Sequence, residues 1–203
     1  LAVQADIGLG YQLGAFTLPD GELLKFAARA QPECTQLVPE PNVSLVYQAL
    51  DSKGYQLEQT DYGLLRVLQL AGEQASHLVE IDSPDQPADP RHYRLSSPEG
   101  MVFELDQFFG IRRVIDPDGN TLTYSASGVQ HSSGIGVDFL RDGQGRIRDL
   151  VLPDGEVISY TYTAAGDLES VTDARDHTTQ FTYLASRAHW LRDIIDARGV
   201  RAI

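Results

Sequence analysis

Between Pro153 and Asp176 apolar and polar positions alternate, break, and alternate again. Ile158, Tyr160 and Tyr162 fall at every second residue with Val157, Ser159 and Thr161 between them, the period of a β-strand with one aromatic face. Ahead of them stands Pro153-Asp154-Gly155, a turn in which proline presets φ and glycine takes a conformation that a side chain disfavours. Ala164-Ala165-Gly166 turns the chain back, Leu168 to Thr172 reads as the return strand, and Asp173 to Asp176 makes the next turn. The unit is a hairpin followed by a turn.

The same punctuation stands at Pro19-Asp20-Gly21, Pro98-Glu99-Gly100 and Pro117-Asp118-Gly119. Three residues beyond each of the four glycines lie Leu24, Phe103, Leu122 and Ile158, and five beyond lie Phe26, Leu105, Tyr124 and Tyr160. Asp176 keeps this register without Pro-Asp-Gly, with Thr179, Phe181 and Tyr183 following at every second position. Gly145 to Gly166 and Ile147 to Leu168 are both 21 residues apart, while Asp173 to Asp196 is 23, a unit with two extra residues. Self-similarity near this period marks an array whose units are each too small to hold a core. The expected fold is all-β: repeated antiparallel hairpins forming a section of a curved or spiralling sheet.

Regular turns begin after Tyr93, so residues 1–92 are expected as an irregular β-rich segment and residues 93–203 as the repeats, in one continuous fragment. In the first part Gly8, Gly10 and Gly14 lie among apolar and aromatic residues; Leu23 to Ala28, Val43 to Leu50, Tyr55 to Gln59 and His77 to Ile81 read as strands. Leu64 to Leu70 fits a short amphipathic helix or a buried strand between Gly63 and Gly72. Ser83 to Pro90 is expected as a proline-rich surface loop open to proteolysis. Residues 127–136, rich in glycine and serine, read as an interruption between units.

Of the residues, 42% are hydrophobic, enough for a core, but turn signals interrupt nearly every apolar run and disfavour helices. The chain starts at Leu1 without methionine and stops just after a turn, and is expected to be a piece of a longer protein. A net charge of −13 argues against a nucleic-acid surface, which needs a basic stripe; it suits a basic partner or plain solubility. The lone Cys34 excludes an internal disulfide framework and reads as a small core residue. Without a long apolar run or a basic signal-peptide start, no membrane partner is expected, and any export is directed from outside this chain.

Phe139-Leu140-Arg141-Asp142-Gly143-Gln144-Gly145-Arg146-Ile147 resembles the signature of the RHS/YD-repeat family, aromatic-x-x-Asp-x-x-Gly-Arg-Leu, with Arg141 where the signature tyrosine usually stands. Tyr162-Thr163-Ala164-Ala165-Gly166-Asp167-Leu168 keeps the tyrosine, glycine and leucine, with Thr163 for aspartate and Asp167 for arginine. Tyr183 to Arg187 departs further, losing the glycine and gaining two residues. The resemblance covers residues 93–203 well and 1–92 weakly. It implies structural roles for Gly119, Tyr124, Asp142, Gly145, Arg146, Ile147, Gly155, Tyr160, Tyr162, Gly166, Leu168, Phe181 and Tyr183. It also implies a wall of a hollow bacterial shell, secreted or delivered, with a toxin enclosed. Its partners are then other segments of the same polypeptide, the cargo and a secretion-system component. The family's self-cleavage site has no counterpart here, so no catalytic residue carries over.

Other chemistry is thinly supported. Asp116 to Asn120 has its glycine too early for a calcium loop and no closing glutamate, so Asx-turn capping explains it better. Asp173 with Asp176, and Asp154 with Glu156, are carboxylate pairs of the kind a glycosidase uses, but repeated surface turns place such pairs without catalysis. His77, His92, His131, His177 and His189 show no metal-ligand spacing, and neither a nucleophile elbow nor a phosphate loop is present. No cofactor or metal is expected. The ladder Tyr124, Tyr160, Phe181 suits strand packing; exposed, it would serve a carbohydrate or cell-surface binding module, the alternative reading.

Overall fold

The computed structural model describes residues 12–18, 21–32, 42–51, 53–69, 76–84 and 86–202. Cys34, Gly8, Gly10 and the Pro19-Asp20 of the first turn lie outside them. Among the described residues all elements are strands: β1 Gln12–Thr17, β2 Leu23–Gln31, β3 Asn42–Ala49, β4 Gln56–Gln59, β5 Leu65–Gln69, β6 Ser76–Glu80, β7 His92–Ser96, β8 Val102–Asp106 and β9 Gly110–Ile115. They continue as β10 Thr121–Ser125, β11 Gly128–His131, β12 Gly136–Arg141, β13 Ile147–Val151, β14 Val157–Tyr162, β15 Leu168–Thr172, β16 Thr178–Tyr183, β17 Leu191–Ile195 and β18 Arg201–Ala202. The fold is all-β and antiparallel. By contacts the chain divides into Leu1–Thr121 and Leu122–Ile203, whereas the boundary read at residue 92 marks where the turns become regular.

In the first unit one sheet runs β1-β2-β3-β5-β6, and β4, β7, β8 and β9 pair side by side in another. Strand alternation builds the core between them. Leu24 and Phe26 of β2 are buried while Leu23 and Lys25 are exposed; Tyr93 and Leu95 of β7 are buried while His92 and Arg94 are exposed. Phe16 meets both Phe26 and Tyr93 edge-on at 6.1 Å, joining the layers through aromatic contacts. Burial pushes the Tyr93 phenol up to about 12.

A second cluster centres on Val43, Leu65 and Ala88. It decides between helix and strand at Leu64 to Leu70: Leu65 pairs with Val43 of β3 and Glu80 of β6, so its backbone is satisfied in a sheet. The cluster also corrects the expectation of a free loop over residues 83–90. Ser83, Pro84, Gln86 and Pro87 are exposed, but Ala88 is buried, its N–H donates to the Leu78 carbonyl at 2.8 Å, and Pro90 is buried too.

The second unit is a meander from β10 to β18, each strand pairing with the next. Pairing registers sort its side chains onto two faces. One carries Phe139 opposite Leu150, Tyr160 opposite Val171 and Phe181 opposite Ile194. The other carries the polar pairs, with Thr161 hydrogen-bonded to Ser170 at 2.7 Å, Thr172 to Thr178 at 2.9 Å and Thr182 to Asp193 at 2.9 Å, beside Val151 opposite Val157. Among the described residues of this unit no apolar side chain is fully buried. Residues 127–136 are not an interruption but a hairpin containing β11 and the start of β12. Their small residues permit close strand approach: a side chain at Gly128 would meet the Val137 carbonyl, and one at Gly136 the Gln130 side chain.

Candidate functional site

The repeated turns are three-residue loops closed by two backbone bonds. At the central one the Gly155 N–H donates to the Leu152 carbonyl at 2.9 Å and the Leu152 N–H to the Glu156 carbonyl at 2.8 Å. Gly155 has φ +87°, the left-handed third position of this loop. The same bonds close the loops at Gly119, Gly145 and Gly166, and at Asp176, a non-glycine residue with φ +62°.

The motif aspartate immediately precedes its loop, at the last strand-side position. Asp142 Oδ1 accepts N–H bonds from Gln144 and Arg146 at 2.9 and 3.0 Å, while its Oδ2 takes the Arg146 Nε at 2.7 Å. Desolvation pushes the Asp142 carboxyl up, but these bonds outweigh it and hold the group below the usual range. Asp173 does the same with Arg175 and His177, and Asp196 with Arg198 and Val200. Asp116 follows suit: Asn120 donates both its N–H and its Nδ2 at 2.8 Å, the side-chain bond being the largest cause of a lowered carboxyl pKa. In the carboxylate pairs, Asp154 accepts the Glu156 N–H at 3.0 Å and Asp173 caps its own turn. Where Thr163 replaces aspartate, its hydroxyl accepts the Asp167 N–H at 3.2 Å, a weaker version of the cap.

Arg146 connects the turn to the signature tyrosine. Its guanidinium lies 4.2 Å from the Tyr162 ring centre, and the Tyr162 hydroxyl donates to the Ile147 carbonyl at 2.6 Å. One repeat later the Tyr183 hydroxyl donates to the Leu168 carbonyl at 2.8 Å. One repeat earlier Arg141 stands at the tyrosine position, and its Nε donates to the Ala126 carbonyl at 2.9 Å. All three bonds reach back 15 residues. The departure at Arg141 keeps the bond and changes the donor. At the Asp167 departure the arginine stack is replaced by a 2.7 Å contact with His189 Nδ1, carried on the loop with two extra residues.

The site residues therefore separate. Asp142, Arg146, Ile147 and Tyr162 form one cluster, with Gly145 and Gly166 in its two turns; Leu168 and Tyr183 repeat its last bond. Tyr160 and Phe181 form the aromatic rows, which Phe139 extends at the same spacing, and Tyr124 faces Val129 in its own hairpin. Sequence reading missed the bulges. Register shifts at Leu105, Arg141, Tyr162 and Tyr183 leave Arg112, Arg148, Glu169 and Arg192 as extra residues, all exposed. Two of them pair with the following aspartate: Arg148 Nε with Asp149 at 2.7 Å and Arg192 Nε with Asp193 at 3.4 Å.

A second constellation lies in the first unit. Asp61 Oδ2 accepts the N–H groups of Arg91 and His92, both at 2.6 Å, and its Oδ1 contacts His92 Nδ1 at 2.6 Å. Asp106 accepts the Phe108 and Phe109 N–H groups on one oxygen and Arg91 Nε on the other, at 2.9 Å. Among the described residues no cluster of three or more potential metal ligands occurs, and no helix is long and apolar enough to cross a membrane.

Residues 141–178 match the model of the family described as RHS Repeat. No curated protein matches the chain. The match spans the Asp142–Arg146–Tyr162 cluster and the turns on both sides of it, so this stretch is similar to an RHS repeat, and the 15-residue bond of Tyr162 recurs beyond it at Tyr183.

Proposed function

We propose that the chain is a non-catalytic section of an RHS-repeat shell that encloses and helps deliver a C-terminal toxin, in competition between bacteria or against a host. One observation carries this reading: the second unit pairs strand to strand in a repeating register yet buries no apolar side chain among its described residues. A sheet built this way is a wall rather than a self-sufficient domain, since its aromatic rows reach full cover only against further protein. The carboxylates of its turns are engaged in capping backbone N–H groups, which favours a structural role for them. Its partners are then other parts of the same polypeptide, the enclosed cargo and a secretion-system component, and its destination is outside the producing bacterium.

The test is intact-mass analysis of the natively purified full-length parent before and after denaturation. A C-terminal fragment that is cleaved yet stays bound until denaturation supports the shell; one uncleaved chain with a protease-accessible C-terminus contradicts it. A second reading, a glycan- or cell-surface-binding module, is kept by one observation: Tyr160 and Tyr162 are half-buried rather than closed off. The Tyr162 hydroxyl is already committed to Ile147, so this reading rests on the ring faces of Phe139, Tyr160 and Phe181.

A further inference from the structure

We propose that a cleft in the first unit, bounded by Arg91, Arg94, Phe109 and Arg112, binds an anion that carries one carboxylate on an aromatic or similarly sized apolar body. This site is independent of the shell reading. The cleft has a volume of about 590 Å³, within the range of small-ligand sites, roughly 300–1,000 Å³. Its aromatic wall is Phe109, and with the neighbouring Phe108 it is unusual for a surface: each is 68% exposed at the tip of the β8–β9 hairpin. Asp106 pins that tip by accepting both phenylalanine N–H groups at 2.8 and 3.0 Å, so the rings are held out on a fixed turn.

The charge comes from the bulge. Arg112 is the extra residue between the Glu104–Arg113 and Leu105–Ile111 pairs, and its guanidinium lies 5.8 Å from the Phe109 ring centre. At the equivalent bulges Arg148 and Arg192 are followed by Asp149 and Asp193, which pair with them. In β9 the next residue is Arg113, so the internal counter-ion is replaced by a second cation, and Arg112 has no carboxylate partner among the described residues. Nearby acids are already divided. Glu104 is shared by Arg94 and Arg113, each at 3.9 Å, Arg94 also reaches Glu58 at 3.4 Å, and Asp106 is taken by Arg91. His92 is held between Asp61 and Asp106. Pair by pair, Arg112 alone of these four guanidiniums has no carboxylate within ion-pair distance among the described residues, and one free guanidinium matches a monoanion better than a dianionic phosphate. Arg91 lies 5.4 and 5.5 Å from the two phenylalanine ring centres, and both phenylalanines stay largely exposed to an apolar body.

The test is a titration of the intact chain followed by amide chemical shifts. The probes are phenylacetate, acetate, benzyl alcohol, phenyl phosphate and a blocked phenylalanine–glutamate dipeptide. Phenylacetate or the dipeptide should shift the Phe108, Phe109 and Arg112 amides, and whichever binds more tightly tells a free ligand from a peptide-borne one. Arg112→Gln should weaken binding by about tenfold, the size of one charge-assisted hydrogen bond, and Phe109→Ala by a similar factor. Arg148→Gln should leave binding unchanged. Equal binding of benzyl alcohol removes the role of charge, and tighter binding of phenyl phosphate removes the monoanion. An absence of shifts at these amides, or full affinity in Arg112→Gln, overturns the site.

Discussion

Arg141, Tyr162 and Tyr183 share one task, a donor that reaches back to a backbone carbonyl in the preceding turn region, and they perform it with two different side chains. Arg141→Tyr should therefore keep the bond to Ala126 and lose only the exposed Nη1 bond to the Gly145 carbonyl, at a cost of about 0.5 kcal/mol, whereas Arg141→Ala loses both donors and costs about 1–2 kcal/mol. Urea denaturation midpoints measure both; equal loss in the two variants would show that the bond is incidental. The substitution pattern shows what was legible at this scale. Glycine turns and the Tyr160–Tyr162 alternation announce themselves because each depends on residue type at fixed spacing. The equivalence of Arg141 to tyrosine does not, because it rests on donor reach rather than on side-chain class. Asp61, His92 and Asp106 were silent for another reason: they come from separate strands and turns, and only pairing of β7 with both β4 and β8 brings them together.

Hairpins differ in what their glycines do. A side chain at Gly155 has nothing within 4 Å and meets only the backbone penalty of φ +87°, whereas at Gly128 it would strike the Val137 carbonyl of the paired strand. Gly155→Ala should cost about 1–2 kcal/mol and Gly128→Ala more, with disturbed β11–β12 pairing. Thermal unfolding of the two variants checks the order, and an equal or reversed cost contradicts this account of residues 127–136. That segment was misread because glycine and serine signal a loop by composition and a tightly paired strand by position, and composition alone does not separate the two. Bulges were likewise hidden. The extra residue at Arg112, Arg148, Glu169 and Arg192 is a property of register between strands, visible only once both are in place.

The two units are stabilised in different ways. In Leu1–Thr121, Leu24, Phe26, Val43, Leu65 and Leu95 are almost wholly removed from water, while Leu122–Ile203 holds its strands by ladders, capped turns and half-buried rows. All-β character and hairpin order were plain from alternation, because each turn names itself. How far each face is covered was not, since alternation gives a face without saying what lies against it. Hydrogen exchange followed residue by residue, in this chain and in its full-length parent, tests the wall reading most directly. Amides of β2, β7 and β8 should exchange slowly in both, and those of β14 to β17 should exchange much faster in the isolated chain and slow down in the parent. Equal protection of β14 to β17 in the two, at the level of β2, would contradict it by showing a unit that needs no neighbours.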